Sequence, residues 1–269
     1  MSITDQFSLA LKVFREIESD LGQGRRDAPP PPAPSLDQLT HDLGPVPEGS
    51  LLLGVAADGL PLLLGLYDPA PGPVLVTGDK RSGKTAFLQT LARATNLTPE
   101  PGEIQFGVLT NYPGEWIATE TLPGSMGIWP AAHSSAGRYL NRLVAWGGHP
   151  GNDGRTAVLL LIDGLDTLIL SESVTRQDLM WLLSYGPEHR IWPVATINAA
   201  RLPRFASWLQ FFGLSIFGYV SQPDLAEVLT GDSAADLHGL IPGVQFSLRN
   251  PDGWLKFWIP SISQERNNK

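Results

Sequence analysis

Apolar positions along this chain recur with two periods, one helical and one extended. Ile3, Phe7, Ala10, Phe14, Ile17 and Leu21 step 4-3-4-3-4, the seam of an amphipathic helix over residues 2–21 with Ser2 as its cap and Gly22 as its stop. Such a face docks either on the chain's own domain or on a partner. Residues 23–34 contain Arg25-Arg26 and four consecutive prolines, Pro29 to Pro32, which favour an extended spacer and cannot enter a sheet. From residue 50 the pattern changes to short apolar runs. Residues 51–55 and 61–66 flank Asp58-Gly59 as a hairpin. Residues 73–77, 103–110, 157–163, 191–196 and 214–219 read as buried strands. Helical spacing falls between them: residues 86–93, the stretch carrying Tyr139, Leu140, Leu143 and Val144, the one carrying Leu179, Met180, Leu182 and Leu183, and residues 223–229. Residues 244–248 and 254–259 close the chain as a second hairpin.

Alternating strands and helices predict an α/β domain, a mostly parallel sheet with helices on both faces. The expected organisation is an N-terminal helix at 1–22, a proline-rich linker at 23–49, the α/β domain at 50–262 and a polar tail at 263–269.

Composition narrows the class. With 269 residues, 42 % of them hydrophobic, the chain can bury a core. No run of eighteen apolar residues is present, so no membrane span is expected. The first residues are acidic and lack an apolar secretory segment. Zero cysteines exclude disulfides and thiolate metal sites and suit a cytoplasmic protein. A net charge of -8 argues against gripping DNA with the outer surface. It leaves room for DNA in the central channel of a ring.

The chemistry concentrates at Gly78-Asp79-Lys80-Arg81-Ser82-Gly83-Lys84-Thr85, which reads G-x-x-x-x-G-K-T between a predicted strand and a helix beginning at Ala86. That is the context of a phosphate-binding P-loop, in which backbone N–H groups and a helix N-terminus face the anion. Lys84 is expected to reach the β- and γ-phosphates of ATP, and the Thr85 hydroxyl to ligate Mg²⁺. Asp79, Lys80 and Arg81 add charge inside the loop, facing either phosphate or solvent. The run 157–162 delivers Asp163, the expected second magnesium ligand. Thr196 ends a later strand, where a polar side chain senses the γ-phosphate or caps the next turn. Arg201 and Arg204, around Pro203, are candidate arginine fingers toward a neighbouring subunit, or plain surface arginines.

The order of these motifs resembles the motor domain of the FtsK/HerA superfamily of P-loop ATPases. The resemblance is carried by the hairpin before the P-loop, the turn Thr110-Asn111-Tyr112-Pro113-Gly114-Glu115, the strand end Ala195-Thr196-Ile197, and the segment from Val228-Leu229 to Leu240-Ile241-Pro242-Gly243. It implies a RecA-like (ASCE) fold, ATP and Mg²⁺ as cofactors, a hexameric ring, and translocation of DNA or protein. The chain departs from the family where water is activated. The residue after Asp163 is Gly164 instead of an acid, the sensor glutamine is Ile197, and the acid and lysine expected near Asn111 and Tyr112 are absent. Asp166 or Glu115 is left as a substitute base. Asp163-Gly164-Leu165-Asp166 also looks like the acid motif of STAND-type (NACHT) ATPases, which switch by nucleotide exchange. A module that binds ATP with little turnover is therefore the second expectation.

Overall fold

The apolar runs pair side by side into one ten-stranded sheet. The structure, a computed structural model, describes residues 34–261 apart from 45, 99, 101, 150–155, 173–175 and 252. The helix read over residues 2–21, the tetraproline and the tail at 263–269 lie outside the described residues. The strands are β1 (Ser50–Ala56), β2 (Pro61–Gly65), β3 (Val74–Gly78), β4 (Ile104–Thr110), β5 (Ser125–Pro130), β6 (Ala157–Asp163), β7 (Ile191–Asn198), β8 (Leu214–Phe217), β9 (Gln245–Asn250) and β10 (Gly253–Trp258). Their order is β2-β1-β10-β9-β8-β3-β7-β6-β4-β5. From β8 to β5 every pairing is parallel. From β8 to β2 every pairing is antiparallel. Both hairpins read from the sequence thus join on one flank and lengthen a six-stranded parallel core.

The helices are α1 (Leu36–Leu43), α2 (Lys84–Ala94), α3 (Ile117–Glu120), α4 (Ser134–Gly147), α5 (Leu165–Leu170), α6 (Arg176–Tyr185) and α7 (Pro223–Thr230). Two apolar clusters lie on opposite faces of the sheet. Val76 and Trp192 pack in the cluster that holds Phe87, Leu88 and Leu91 of α2. Their strand neighbours Leu75 and Ile191 join Leu140 and Leu143 of α4 and Leu179 and Leu182 of α6. Successive side chains of one strand feeding two clusters is what a period of two requires of a sheet covered on both sides. Phe87, Phe246 and Phe257 pack together at the seam between core and flank, with centroids 5.1 to 6.2 Å apart.

One expectation is corrected. The stretch 23–49, read as a linker throughout, contains α1. The Ser35 hydroxyl accepts from the Gln38 amide at 3.1 Å while the Gln38 side chain accepts from the Ser35 amide at 2.9 Å, a reciprocal cap that starts the helix. Leu39 is buried, and Ser35 pairs with Ser261. Prolines on either side masked an eight-residue helix that belongs to the α/β unit, which runs Ala33–Lys269.

Candidate nucleotide site

Strand register sets the floor of the site. Thr110 of β4 pairs with Asp163 of β6, Asp163 pairs with Thr196 of β7, and Thr196 pairs with Val76 of β3. Three polar side chains therefore lie in one row at the carboxyl ends of four parallel strands, where ligands of such sheets bind. Just beyond Val76 the chain leaves β3 at Gly78 and turns into α2.

That turn has the backbone a phosphate cradle requires. Arg81 and Gly83 adopt φ of 67° and 95°, left-handed values that glycine tolerates and Arg81 adopts at a cost. The loop is braced from the far end of the chain. Gly243 N–H donates to Ser82 O at 3.1 Å, and Asp79 N–H donates to Tyr219 O at 2.9 Å. A Cβ on Gly83 would stand 2.6 Å from the Gly243 Cα, so this contact admits only glycine. Gly243 ends the Leu240-Ile241-Pro242-Gly243 run.

Side chains fill in the chemistry. Lys84 Nζ folds back to donate to Gly78 O at 2.9 Å and Asp79 O at 2.7 Å. Burial pulls its pKa below the usual lysine value, opposed by the charges of Asp163, Asp79 and Asp166. The Thr85 hydroxyl lies 3.1 and 3.2 Å from the two Asp163 oxygens. Thr196 Oγ1 donates to Asp163 Oδ1 at 3.1 Å and accepts from the Gly164 amide at 2.9 Å. The structure thus brings Lys84, Thr85, Asp163 and Thr196 together. A hydroxyl and a carboxylate in contact form an oxygen-only donor set beside the anion cradle, which fits a hard cation such as Mg²⁺.

Other candidates are placed differently. Asp79 Oδ2 accepts from Ser221 N and Oγ at 2.9 and 2.7 Å, so this acid is tied to the loop after β8. Lys80 and Arg81 are exposed, Ser82 is buried, and Ala86 packs on the α2 cluster. Asp166, buried in the first turn of α5, is ion-paired with Arg201. A candidate base and a candidate finger are therefore each other's partners. Arg204 and Glu115 are exposed. Asn198 caps the 3-10 run Ala199–Phe211 by accepting from Ala200 N–H at 3.0 Å. At Gly164 φ is 105°, so the missing acid is accompanied by a backbone that side chains rarely adopt.

Two neighbours of Asp163 were not anticipated. Thr110 Oγ1 lies 3.5 Å from Oδ2, and the Trp116 indole N–H donates to Oδ2 at 3.3 Å. Trp116 directly follows the turn Thr110 to Glu115 in the sequence, but a tryptophan among eight reads as core by default.

No protein-family model and no curated protein matches the chain. Solved structures do. EccC (ATPases 2 and 3) of Thermomonospora curvata, in complex with a signal sequence peptide, aligns with a TM-score of 0.65 at 13 % identity, over 87 % of this chain and 44 % of that one. The cytoplasmic domain of EssC gives 0.64 at 14 % identity, over 98 % of this chain and 54 % of that one. The pCW3 conjugation coupling protein TcpA, in a monomer form with ATPγS, gives 0.57 at 13 % identity over 85 % and 69 %. This chain spans about half the length of the EccC and EssC chains. This chain shares the RecA-like α/β fold of these solved structures.

Proposed function

We propose that this chain is a divergent FtsK/HerA-type ATPase domain that binds ATP·Mg²⁺ and, as a ring of copies, couples it to moving DNA or protein. The observation that carries this reading is the convergence of Lys84, Thr85, Asp163 and Thr196 on a glycine cradle at the ends of β3, β6 and β7. Lys84 and the loop amides would hold the phosphates, Thr85 and Asp163 the metal, and Thr196 would orient Asp163 while facing the terminal phosphate. The metal would supply charge neutralisation across the phosphates. Relatives by fold include a secretion ATPase solved with a signal peptide and a conjugation coupling protein solved with ATPγS. They support both nucleotide use and a polymer substrate.

A second reading, a nucleotide-dependent switch with little turnover, is favoured by one specific feature. Position 164 holds no carboxylate, and the nearby acid Asp166 is already engaged by Arg201. Steady-state ATP hydrolysis with and without duplex DNA, with Lys84→Ala as control, separates the two. The motor reading expects turnover at least tenfold above the control, since the lysine's charge stabilises the transferring phosphoryl group. Tight ATP binding with turnover equal to Lys84→Ala would sink it and leave the switch.

A further inference from the structure

The Trp116–Asp163 hydrogen bond deepens the reading of the nucleotide site, on which it rests. An indole N–H is a donor only, and a fully buried one needs an acceptor. Trp116 is fully buried at the end of the 3-10 turn Pro113–Trp116, and the acceptor it finds is the acid of the metal pair, Oδ2 of Asp163 at 3.3 Å. The turn is held on two further sides. Gln89 Nε2 of α2 donates to Glu115 O at 2.8 Å, and Thr119 Oγ1 donates to Trp116 O at 2.7 Å. These bonds fix the backbone of the turn against the helix that carries Lys84 and Thr85, and full burial holds the indole itself.

The two oxygens of Asp163 are divided among these donors. Oδ1 takes the Thr196 hydroxyl, Oδ2 takes the indole, and Thr85 approaches both. Thr110, at 3.5 Å, is at the outer limit of a hydrogen bond. With a donor on each oxygen the carboxylate is held in place, its two oxygens almost equally far from the Thr85 hydroxyl.

We propose that Trp116 is a positioning residue for the metal acid: its N–H orients the Asp163 carboxylate toward the magnesium of a bound nucleotide and registers that metal's arrival. Groups that orient metal ligands from behind typically govern metal affinity by ten- to a hundredfold. A cation beside Asp163 also draws charge off Oδ2, which weakens the indole bond. Nucleotide without metal brings no cation to Oδ2.

Trp116→Phe keeps an aromatic ring in the core and removes the N–H donor together with the volume of the indole's second ring. With a fluorescent ATP analogue, binding in EDTA should match the unaltered protein. The Mg²⁺ concentration giving half of the metal-dependent gain in binding should rise about tenfold. An unchanged or lowered Mg²⁺ requirement would overturn the proposal. The unaltered protein offers a second measurement should the variant fail to fold. With ¹⁵N-labelled tryptophan, the Trp116 indole resonance should move when Mg²⁺ is added to nucleotide-saturated protein and stay in place when nucleotide is added in EDTA. A Trp116 resonance indifferent to Mg²⁺ would overturn the assignment even where ATP binds. An absence of ATP binding would instead sink the nucleotide reading itself.

Discussion

Arg201 and Asp166 differ sharply in exposure, and that difference decides what each contributes. The Asp166 side chain is 7 % exposed and that of Arg201 57 %. Removing the arginine strands a buried carboxylate, whereas removing the acid returns a guanidinium to water. Arg201→Ala should therefore cost about 1–3 kcal/mol in urea unfolding, and Asp166→Asn only about 0–1 kcal/mol. Equal costs would mean the pair is a surface contact and Asp166 is not desolvated. The site was readable at this scale where side-chain identity alone implies a role. Lys84, Thr85 and Asp163 come together as their motifs demand. The partnerships that cross between motifs were not readable. Nothing in the spacing says that Arg201 turns inward to Asp166, or that Trp116 spends its N–H on Asp163, because both contacts depend on which strands become neighbours.

At the scale of elements, long buried runs announced themselves and short or half-exposed ones did not. β3, β6 and β7 are continuous apolar stretches and were plain in the sequence. β5 was not: its residues Ser125–Pro130 are mostly half-buried at the sheet edge, with no alternation to betray them. The 3-10 run Ala199–Phe211 carries Pro203 inside it, which spoils an α-helical pattern without marking what replaces it. The segment between α7 and β9 buries Ala235, Leu237 and Leu240 and is also pinned by two acids. Trp254 Nε1 donates to Asp232 Oδ2 at 3.0 Å and Lys256 Nζ to Asp236 Oδ2 at 2.7 Å. The Ala234 amide and then the Trp254 indole lower the pKa of Asp232, and the bond from Lys256 lowers that of Asp236. For a depressed carboxylate, folding gains stability above the unfolded pKa, near 4. It loses that stability as pH falls through the folded value. The thermal midpoint should therefore drop on acidification below about pH 4, and Asp236→Asn, already deprived of the pairing, should show a shallower drop. Parallel curves for the two proteins would show that this anchor contributes nothing.

For the whole molecule, the strand order is what the linear pattern withheld. Runs that pack into sheets carry no label for their neighbours, so the placement of β7 between the P-loop strand β3 and the acid strand β6 emerges only from the assembled sheet. The same holds for the antiparallel flank, where β1 and β10, from opposite ends of the α/β unit, lie side by side. Assembly beyond one chain belongs to this scale too. The motor reading expects ATP·Mg²⁺ to convert single chains into rings of roughly six copies, measured by light scattering with and without nucleotide. A chain that stays monomeric at saturating ATP·Mg²⁺ would favour the switch.

The brace on the P-loop has a consequence for how the protein is made. Its phosphate cradle is translated early, yet Tyr219, Ser221 and Gly243, which hold that cradle in shape, are translated late. A ribosome-bound chain that has not yet emitted the Pro242-Gly243 step has the full P-loop sequence but lacks the Gly243 bond that braces it. The proposed nucleotide site is therefore expected to reach its described form only once that bracing segment has left the ribosome.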